Sequence, residues 1–343
     1  MGRRAEQQAV THEWGRLLNA AHPGFLDDVL TRIRDSEHEY TGERGDSFLV
    51  DHTLQVCSVV FRLCQMQQAD SYLPVLVALF HDAGKFNHGT YHEAGVPEEE
   101  HSAVLARKFM DQHGFDIQVI EAVCASIQAL YVESAEKTLP CNLVHDADCL
   151  VKSGCAGVAQ FFIKSTLRSK GMLTILRRSL SKELTYTSVL VHNMRTAAGS
   201  TLARTRQDRA SEFFRSLIAE LREDGILALR VDTFEPELET GSSVPIVIVR
   251  EAACHQCGSG TAVRFRQEPG IKCTKLIADV ACIDCSAHNQ IAFCLPEIKT
   301  AAAALRPLGF EGSWPDKIAP SESEGQSRHS DHSIIKCGEA ENE

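Results

Sequence analysis

The hydrophobic pattern of the chain changes once, near residue 225, and this change limits the folds that the chain can adopt. Before it, apolar residues recur three and four positions apart, as in the stretches 48–68 and 72–82, which is the spacing of helices. After it, short runs rich in β-branched residues alternate with polar ones and are separated by Gly, Pro and Ser, as strands are. We therefore predict a mainly α fold, an all-helical domain followed by a small β-rich module.

The same pattern sets the expected domain limits. Residues 1–230 form the helical domain and residues 231–313 the β-rich module. Residues 314–343 are polar and charged, with too few apolar side chains to form a core, and are predicted to be disordered. Other helices of the first domain are predicted over residues 10–45, 155–180, 185–203 and 205–224.

The charge of the chain argues against a nucleic acid as partner, and its hydrophobic pattern argues against a membrane. The 343 residues carry a formal net charge of −11, which disfavours non-specific binding along a nucleic acid. No apolar run approaches the ~20 residues that a membrane span needs, and the first residues lack the apolar core of a secretory signal. We expect a cytoplasmic protein that does not bind a membrane. A small phosphorylated substrate is compatible with the negative net charge, because a bound metal supplies local positive charge.

Histidine and aspartate residues suited to metal binding follow one another along the helical part. His52 lies in one predicted helix, and His81 and Asp82 follow the apolar stretch YLPVLVALF. Neutral imidazoles and carboxylates are natural ligands of divalent transition metals. Adjacent ligands can share one metal only where the helix ends or bends, which the following Ala and Gly permit. A further aspartate, Asp146 or Asp148, stands in the segment DADCL.

This ordered set resembles the H…HD…D pattern of the HD superfamily of metal-dependent phosphohydrolases. HDAGK at 81–85 looks like the most recognisable segment of that family. EEHS at 99–102 and DADCLVKSG at 146–154 are similar to segments of the bacterial YedJ-like group, and residues 194–221 carry a similar Thr…Gly…Ala…Arg pattern. The resemblance spans about residues 25–225. It implies an HD domain that hydrolyses a nucleotide or related phosphate ester with metal-activated water.

The resemblance implies a metal-binding role for each matching residue. His52, His81 and Asp82 would be ligands of a divalent ion such as Mn, Co, Ni, Fe, Mg or Zn. The fourth ligand falls on Asp148, with Asp146 as the alternative. The two aspartates face nearly opposite sides of a helix, so we expect only one of them to reach the metal.

Three residues are the expected catalytic groups. Lys85 would hold a phosphate oxygen and stabilise the negative charge that develops on it, and His101 would help to neutralise the phosphate. Asp82, or a nearby acid, would handle the proton of the attacking water.

The chain also departs from the family pattern. Cys149 and Val151 replace an Arg and an Asp of the YedJ-like group, and the stretch 125–134 lacks a histidine that binuclear members carry. One metal is therefore expected rather than two. His101 is the favoured candidate ligand for part of a second metal site, and His88 and His92 are less favoured candidates.

Three functions are consistent with these residues. A metal-dependent phosphohydrolase is the leading hypothesis. A catalytically degenerate HD module that binds a nucleotide or a partner is the alternative, supported by the altered segment around Cys149. An HD-type di-iron oxygenase ranks last, because it needs more His and Asp ligands than the sequence places.

Two CxxC pairs in the β-rich part predict a zinc ribbon. Cys254 and Cys257 form one pair and Cys282 and Cys285 the other, and two such pairs complete a tetrahedral site of four thiolates. The zinc would be structural, since it replaces a hydrophobic core that so small a module could barely supply. A protein partner is the favoured contact of the ribbon, and nucleic acid is possible but not favoured, because basic residues in it are few.

Overall fold

The computed structural model describes residues 12–86, 97–130, 132, 135–167, 170–236, 245–254, 256–269, 275–285 and 287–294. The segment 314–343, for which disorder is predicted, lies outside the described residues. Within the described residues, every helix is too short or too polar to cross a membrane.

The described part of the chain is mainly helical and ends in antiparallel strands, which confirms the predicted fold class. Its eleven helices are α1 (Glu13–Ala21), α2 (Phe25–Thr41), α3 (Phe48–Gln67), α4 (Tyr72–Phe80), α5 (Glu98–Gln112), α6 (Ile117–Ala129), α7 (Leu139–Val151), α8 (Gly154–Leu167), α9 (Met172–Arg178), α10 (Leu180–Asn193) and α11 (Ala197–Glu223). Its five strands are β1 (Leu229–Phe234), β2 (Ile246–Glu251), β3 (Thr261–Glu268), β4 (Lys275–Cys282) and β5 (His288–Cys294).

Helix α4 lies at the centre of the helical part. Every residue from Pro74 to Phe80 is buried, and the helix packs against α3, α6 and α7. A helix that is apolar on all sides is stable only when neighbours cover it completely. Because α4 ends at Phe80, the residues that follow it, His81 and Asp82, enter the interior of the domain.

A buried carboxylate holds the start of α3, the helix that carries His52. The Ser47 hydroxyl caps α3 by accepting a hydrogen bond from the Val50 amide at 3.0 Å. The carboxylate of Glu37, on α2, accepts hydrogen bonds from the Ser47 hydroxyl and from the Leu49 amide. These contacts set the position of the first turn of α3 and hence of His52 one turn later.

Three of the predicted helices are interrupted. The helix predicted over 10–45 divides into α1 and α2 at Gly24, whose φ of 81° is in the left-handed region that favours glycine. The segment 155–180 divides into α8 and α9. The prediction over 185–203 is wrong, because α10 ends at Asn193 and α11 begins at Ala197, where the Thr196 side chain caps the new helix. Apolar spacing alone did not reveal this break.

The strands form a hairpin and a separate sheet. β1 pairs with β2, and β3, β4 and β5 form an antiparallel meander. The free edge of β2 lies against α10, where the Thr185 hydroxyl bonds both the N–H (2.9 Å) and the C=O (3.2 Å) of Val247. Ser181 does the same for Val249. Two side chains thus satisfy a strand edge that would otherwise be unpaired. The domain limits at residues 230 and 313 stay predictions.

A carboxyl group in the first turn of α10 has a raised pKa. Burial raises the pKa of Glu183 to about 7, although the charge of Lys164 acts in the opposite direction. An acid with a higher pKa in the folded state binds more protons when folded, so the free energy of unfolding falls as the pH rises from about 4.5 towards 7.

We predict that Glu183→Gln stabilises the protein at pH 8 and has little effect at pH 5, where the native carboxyl is protonated. Each unit of pKa shift corresponds to about 1.4 kcal/mol, so the gain at pH 8 is at most about 3 kcal/mol. Urea unfolding at both pH values measures it, with the exposed Glu220→Gln on α11 as control. An equal change in the free energy of unfolding at both pH values would contradict the prediction.

Candidate metal centre

His81 presents one defined ring nitrogen to the interior. Its Nδ1 lies 2.7 Å from the carbonyl oxygen of Ala78, and since a carbonyl only accepts, Nδ1 carries the proton and donates. The Nε2 atom is therefore left with its lone pair. A hydrogen bond of this kind, which fixes the tautomer and the orientation of a ligating histidine, is typical of metal sites.

The second imidazole faces the first. His52 Nε2, on α3, lies 3.4 Å from His81 Nε2 and 3.2 Å from Asp148 Oδ1 on α7. All three side chains are buried, and their ligand atoms lie within 4.8 Å of one another. Two imidazole nitrogens and one carboxylate oxygen from three helices thus converge on a volume that one ion can occupy. This donor set fits a divalent transition metal.

Asp82 lies beside this group. Its Oδ2 is 3.6 Å from His52 Nε2 and 3.8 Å from His81 Nε2. Because α4 has ended, the two adjacent residues His81 and Asp82 direct their side chains to the same place. The four residues that the sequence predicts as ligands are therefore neighbours in the fold.

Gly84 makes room for the neighbouring helix. Its φ is not positive; instead, a Cβ at this position would lie 2.5 Å from the Ser102 amide nitrogen of α5. The Ser102 hydroxyl accepts a hydrogen bond from the Gly84 amide at 2.9 Å and donates one to the His81 carbonyl at 3.2 Å. The glycine after HD is thus required for the close approach of α5 rather than for a special backbone conformation.

The two aspartates of α7 have different partners. Asp146 is fully buried, and its carboxylate accepts hydrogen bonds from the Arg195 amide (2.7 Å), the Thr196 amide (2.9 Å) and the Thr196 hydroxyl (2.7 Å). It therefore holds the start of α11. Asp148, two residues later, faces His52 from the other side of α7. This arrangement favours Asp148 as the fourth ligand.

Each candidate carboxylate ligand is paired with a lysine. Lys85 Nζ lies 3.1 Å from Asp82 Oδ2, and Lys152 Nζ lies 2.7 Å from Asp148 Oδ2. The sequence analysis named Lys85 and missed Lys152. The spacing of four residues between Asp148 and Lys152 on a helix was the available signal, since such residues are neighbours on the helix surface.

The protonation states suit metal binding. Burial lowers the pKa of His52, which favours neutral imidazole, although the hydrogen bond with Asp148 opposes this. Burial alone would raise the pKa of Asp82, but its neighbours His81 and Lys85 outweigh burial and lower the pKa overall. Burial acts likewise on Asp148, and Lys152 and His52 hold its pKa well below the ordinary value. Neutral imidazoles and ionised carboxylates are the forms that bind metals.

The other predicted histidines are less closely connected with this cluster. His101 is half-buried on α5. A Cβ atom built on Gly84 would lie 2.6 Å from the Cβ of His101, so His101 lies next to the HDAGK segment. It does not belong to the group of ligand atoms around His52. His88 and His92 lie outside the described residues. A catalytic role for His101 stays a prediction.

The four predicted cysteines lie together in the β-rich part. Cys254 Sγ is 3.6 Å from Cys285 Sγ, Cys257 Sγ is 3.4 Å from Cys282 Sγ, and all four sulfurs lie within 4.8 Å of one another. Backbone amides of Asp284 and Ala287 approach two of these sulfurs at 3.4 Å, which stabilises thiolate charge. This arrangement fits a tetrahedral ion with four thiolate ligands, such as zinc.

Comparison with known proteins identifies the helical part. Residues 49–152 match the family model of the HD domain, so this segment, which runs from α3 to the end of α7, is an HD domain. A search of the curated proteins finds no match.

Solved structures of several bacterial proteins are similar to the chain. They include a predicted HD superfamily hydrolase from an uncultured Thermotogales bacterium (20% identity, 57% of this chain and 91% of that one, TM-score 0.41). They also include Bacillus subtilis YpgQ in complex with ADP (16% identity, 57% and 94%, TM-score 0.43) and an HD-superfamily hydrolase from Bacillus thuringiensis (19% identity, 58% and 98%, TM-score 0.42).

We predict that the two aspartates of α7 separate metal binding from stability. Asp148→Asn should weaken Mn²⁺ binding by ~100-fold or more, since it removes an anionic ligand, and should change the unfolding of the metal-free protein little. Asp146→Asn should cost about 2–4 kcal/mol in the free energy of unfolding, because it disturbs a buried, hydrogen-bonded carboxylate.

Electron paramagnetic resonance measures Mn²⁺ binding without interference from the cysteine site, because thiolates favour softer ions. Urea unfolding gives the stability of the same samples. Loss of Mn²⁺ binding in the Asp146 variant at a temperature where it is folded would overturn the assignment of the two aspartates.

We predict that the cysteine cluster holds about one zinc per chain, in line with structural sites of four cysteines. A Cys254→Ser, Cys282→Ser double variant should lose this zinc and become sensitive to proteolysis between β2 and β5. Metal analysis after dialysis against a chelator measures the zinc, with Cys155→Ser, an exposed cysteine of α8, as control. Equal zinc in the double variant and the control would disprove the site.

Proposed function

We propose that this HD domain is a metal-dependent phosphohydrolase that acts on a nucleotide or a related phosphate ester. One divalent ion would be held by His52, His81, Asp82 and Asp148. The observation that carries the proposal is that ligand atoms of His52, His81 and Asp148 lie within 4.8 Å of one another in the interior of the domain. A bound divalent ion polarises a phosphoryl oxygen and lowers the pKa of a water molecule that it binds.

The surrounding residues have distinct tasks in this proposal. His81 is oriented by its hydrogen bond to Ala78, so its Nε2 is ready to bind without rearrangement. Lys85 and the half-buried His101 bind the phosphate. Asp82 has a lowered pKa because Lys85 and His81 lie beside it, so we assign it to metal ligation and to orienting the attacking water by hydrogen bonding rather than to storing its proton.

An aromatic ring and a further cation support a nucleotide as the substrate. The ring of Phe48 lies nearly parallel to that of His52, with centroids 6.4 Å apart, and Phe48 is 39% exposed. Lys164 Nζ lies 4.5 Å from the centre of the Phe48 ring. Aromatic rings and flexible lysines are common partners of bases and phosphates.

A binding module without turnover is the second candidate, and one observation favours it. Both candidate ligand carboxylates already have a lysine as internal counter-ion, so the buried charges are compensated within the protein. A di-iron oxygenase is not proposed. Within the described residues, the clusters of three or more His, Cys, Asp or Glu side chains are the one around His52 and the four cysteines, and neither provides a second iron site beside the first.

For the cysteine module we propose a structural zinc and a protein partner. Ile283, between the second pair of cysteines, is 65% exposed and offers an apolar contact. Two arginines of this region are paired with acids: Arg250 with Asp232 at 2.8 Å, and Arg266 with Asp279 at 3.0 Å. Such pairing reduces the positive charge that is available to nucleic acid. We place the protein in the cytoplasm on the grounds given by its sequence.

We predict metal-dependent hydrolysis by the wild-type protein and its loss in the His81→Ala and Asp148→Asn variants, by ~1,000-fold or more, since metal activation of water contributes several kcal/mol to such reactions. The assay uses metal-stripped protein resupplied in turn with Mn, Co, Ni, Mg, Fe and Zn, and a panel of nucleotides and simple phosphate esters. Phosphate release is measured.

Asp111→Asn, an exposed aspartate near the end of α5, is the matched control and should keep full activity. Absence of turnover with every metal and ester, in protein that binds one ion through His81, would reject the hydrolase and favour the binding module.

A further inference from the structure

We infer that Lys152 is a substrate-binding residue and that, together with Lys85, it selects phosphomonoesters, which carry two negative charges, over phosphodiesters, which carry one. This inference rests on the proposed function, because it specifies the substrate class of the same site. The observation behind it is the position of two ammonium groups on the two carboxylates of the metal cluster.

The two lysines lie nearer to solvent than the residues that they contact. The side chain of Lys152 is 51% exposed and that of Lys85 is 26% exposed, whereas those of Asp148 and Asp82 are 8% and 12% exposed. The imidazoles of His52 and His81 are almost fully covered. An anion that enters from solvent therefore meets the ammonium groups as it reaches the buried ligands.

The charges at the site favour a dianion. Each carboxylate forms an ion pair with one ammonium group, Asp82 with Lys85 at 3.1 Å and Asp148 with Lys152 at 2.7 Å, so the site holds two negative and two positive side chains. A divalent ion together with two lysines exceeds the two aspartates by two positive charges. The carboxylate of the neighbouring Asp146 is not counted with these groups, because it faces the Arg195 and Thr196 amides at the start of α11.

A dianionic phosphate neutralises this excess, whereas a diester leaves one positive charge uncompensated. Burial makes the difference larger, because charges interact more strongly in a site from which water is partly excluded. Lysine also suits this task, since its ammonium group rotates and can leave Asp148 Oδ2 to donate to a phosphate oxygen.

Lys152 is the cationic residue at the end of α7, in the segment DADCLVKSG. Val151 is buried in the core, and burial raises the pKa of the Cys149 thiol to about 12, which keeps it uncharged. Lys152 therefore supplies the positive charge that this turn of α7 would otherwise lack.

The test compares the binding of two anions by Mn²⁺-loaded protein at pH 8, measured by calorimetry. Orthophosphate is the dianionic probe and dimethyl phosphate the monoanionic one. Lys152→Met should weaken orthophosphate binding by ~30-fold and dimethyl phosphate binding by less than ~5-fold, since a charge-assisted hydrogen bond to a dianion is lost. Lys152→Arg should restore most of the orthophosphate affinity. Lys108→Met, a lysine of α5 that lies over the Phe109 ring, should change neither.

A purely structural role for Lys152, as the partner of Asp148, gives a different result. Lys152→Met would then change Mn²⁺ affinity or stability and weaken both anions equally, which would overturn the inference. An unchanged orthophosphate affinity in this variant would overturn it as well.

Turnover separates this inference from the proposed function. If the wild type hydrolyses diesters and not monoesters, the hydrolase proposal stands and the selection by Lys152 is wrong. If no ester is hydrolysed but orthophosphate binding still depends on Lys152, the hydrolase proposal fails and the anion-binding role of Lys152 is supported.

Discussion

The burial of ionisable side chains between α3, α4 and α7 is the constraint on which the helical domain depends. His52, His81 and Asp148 are almost completely removed from solvent, and Asp82 nearly so. Isolated charges in such a place would cost several kcal/mol each. In this domain lysine ammonium groups and imidazole nitrogens lie next to the buried carboxylates, which offsets this cost. The same arrangement forms the candidate site for a divalent ion.

Helix α7 joins this site to the rest of the domain. One face directs Asp148 to the imidazoles, and the opposite face directs Asp146 to the beginning of α11. Since residues two apart lie on nearly opposite sides of a helix, the short segment DAD performs both tasks without conflict. The packing of α10 and α11 against β1 and β2 then connects the helical part with the strands.

The β-rich part relies on different forces. One face of its three-stranded sheet packs in an apolar cluster that includes Leu276, Ile291 and Phe293, and four cysteines lie together in the same part of the chain. Hydroxyl groups of α10 complete the hydrogen bonding of the β2 edge. Side chains on a helix thus replace a neighbouring strand, a solution that ties the hairpin to one place on the helical surface and protects its edge from other chains.

Local spacing in the sequence determined much of what we find. The change from helical to alternating apolar patterns predicted the fold class, since each period describes which face of an element is buried. The order of His52, His81–Asp82 and DADCL predicted which residues lie together in the candidate site, and the two CxxC pairs predicted the cysteine cluster. In each case the decisive residues are close in sequence or lie on strongly apolar elements, so the local pattern carries the information.

Only the tertiary structure decided between groups that are equivalent in sequence. Asp146 and Asp148 differ because the Thr196 amide meets one of them and His52 meets the other, across separations of 50 and 96 residues. The break at residues 194–196 exists because Asp146 and the Thr196 cap stabilise a new helix start there. The anion-binding role that we propose for Lys152 depends on its contact with Asp148, and only the fold shows that Asp148 lies beside His52. Such choices depend on which distant polar groups meet in the interior, and no local pattern contains that information.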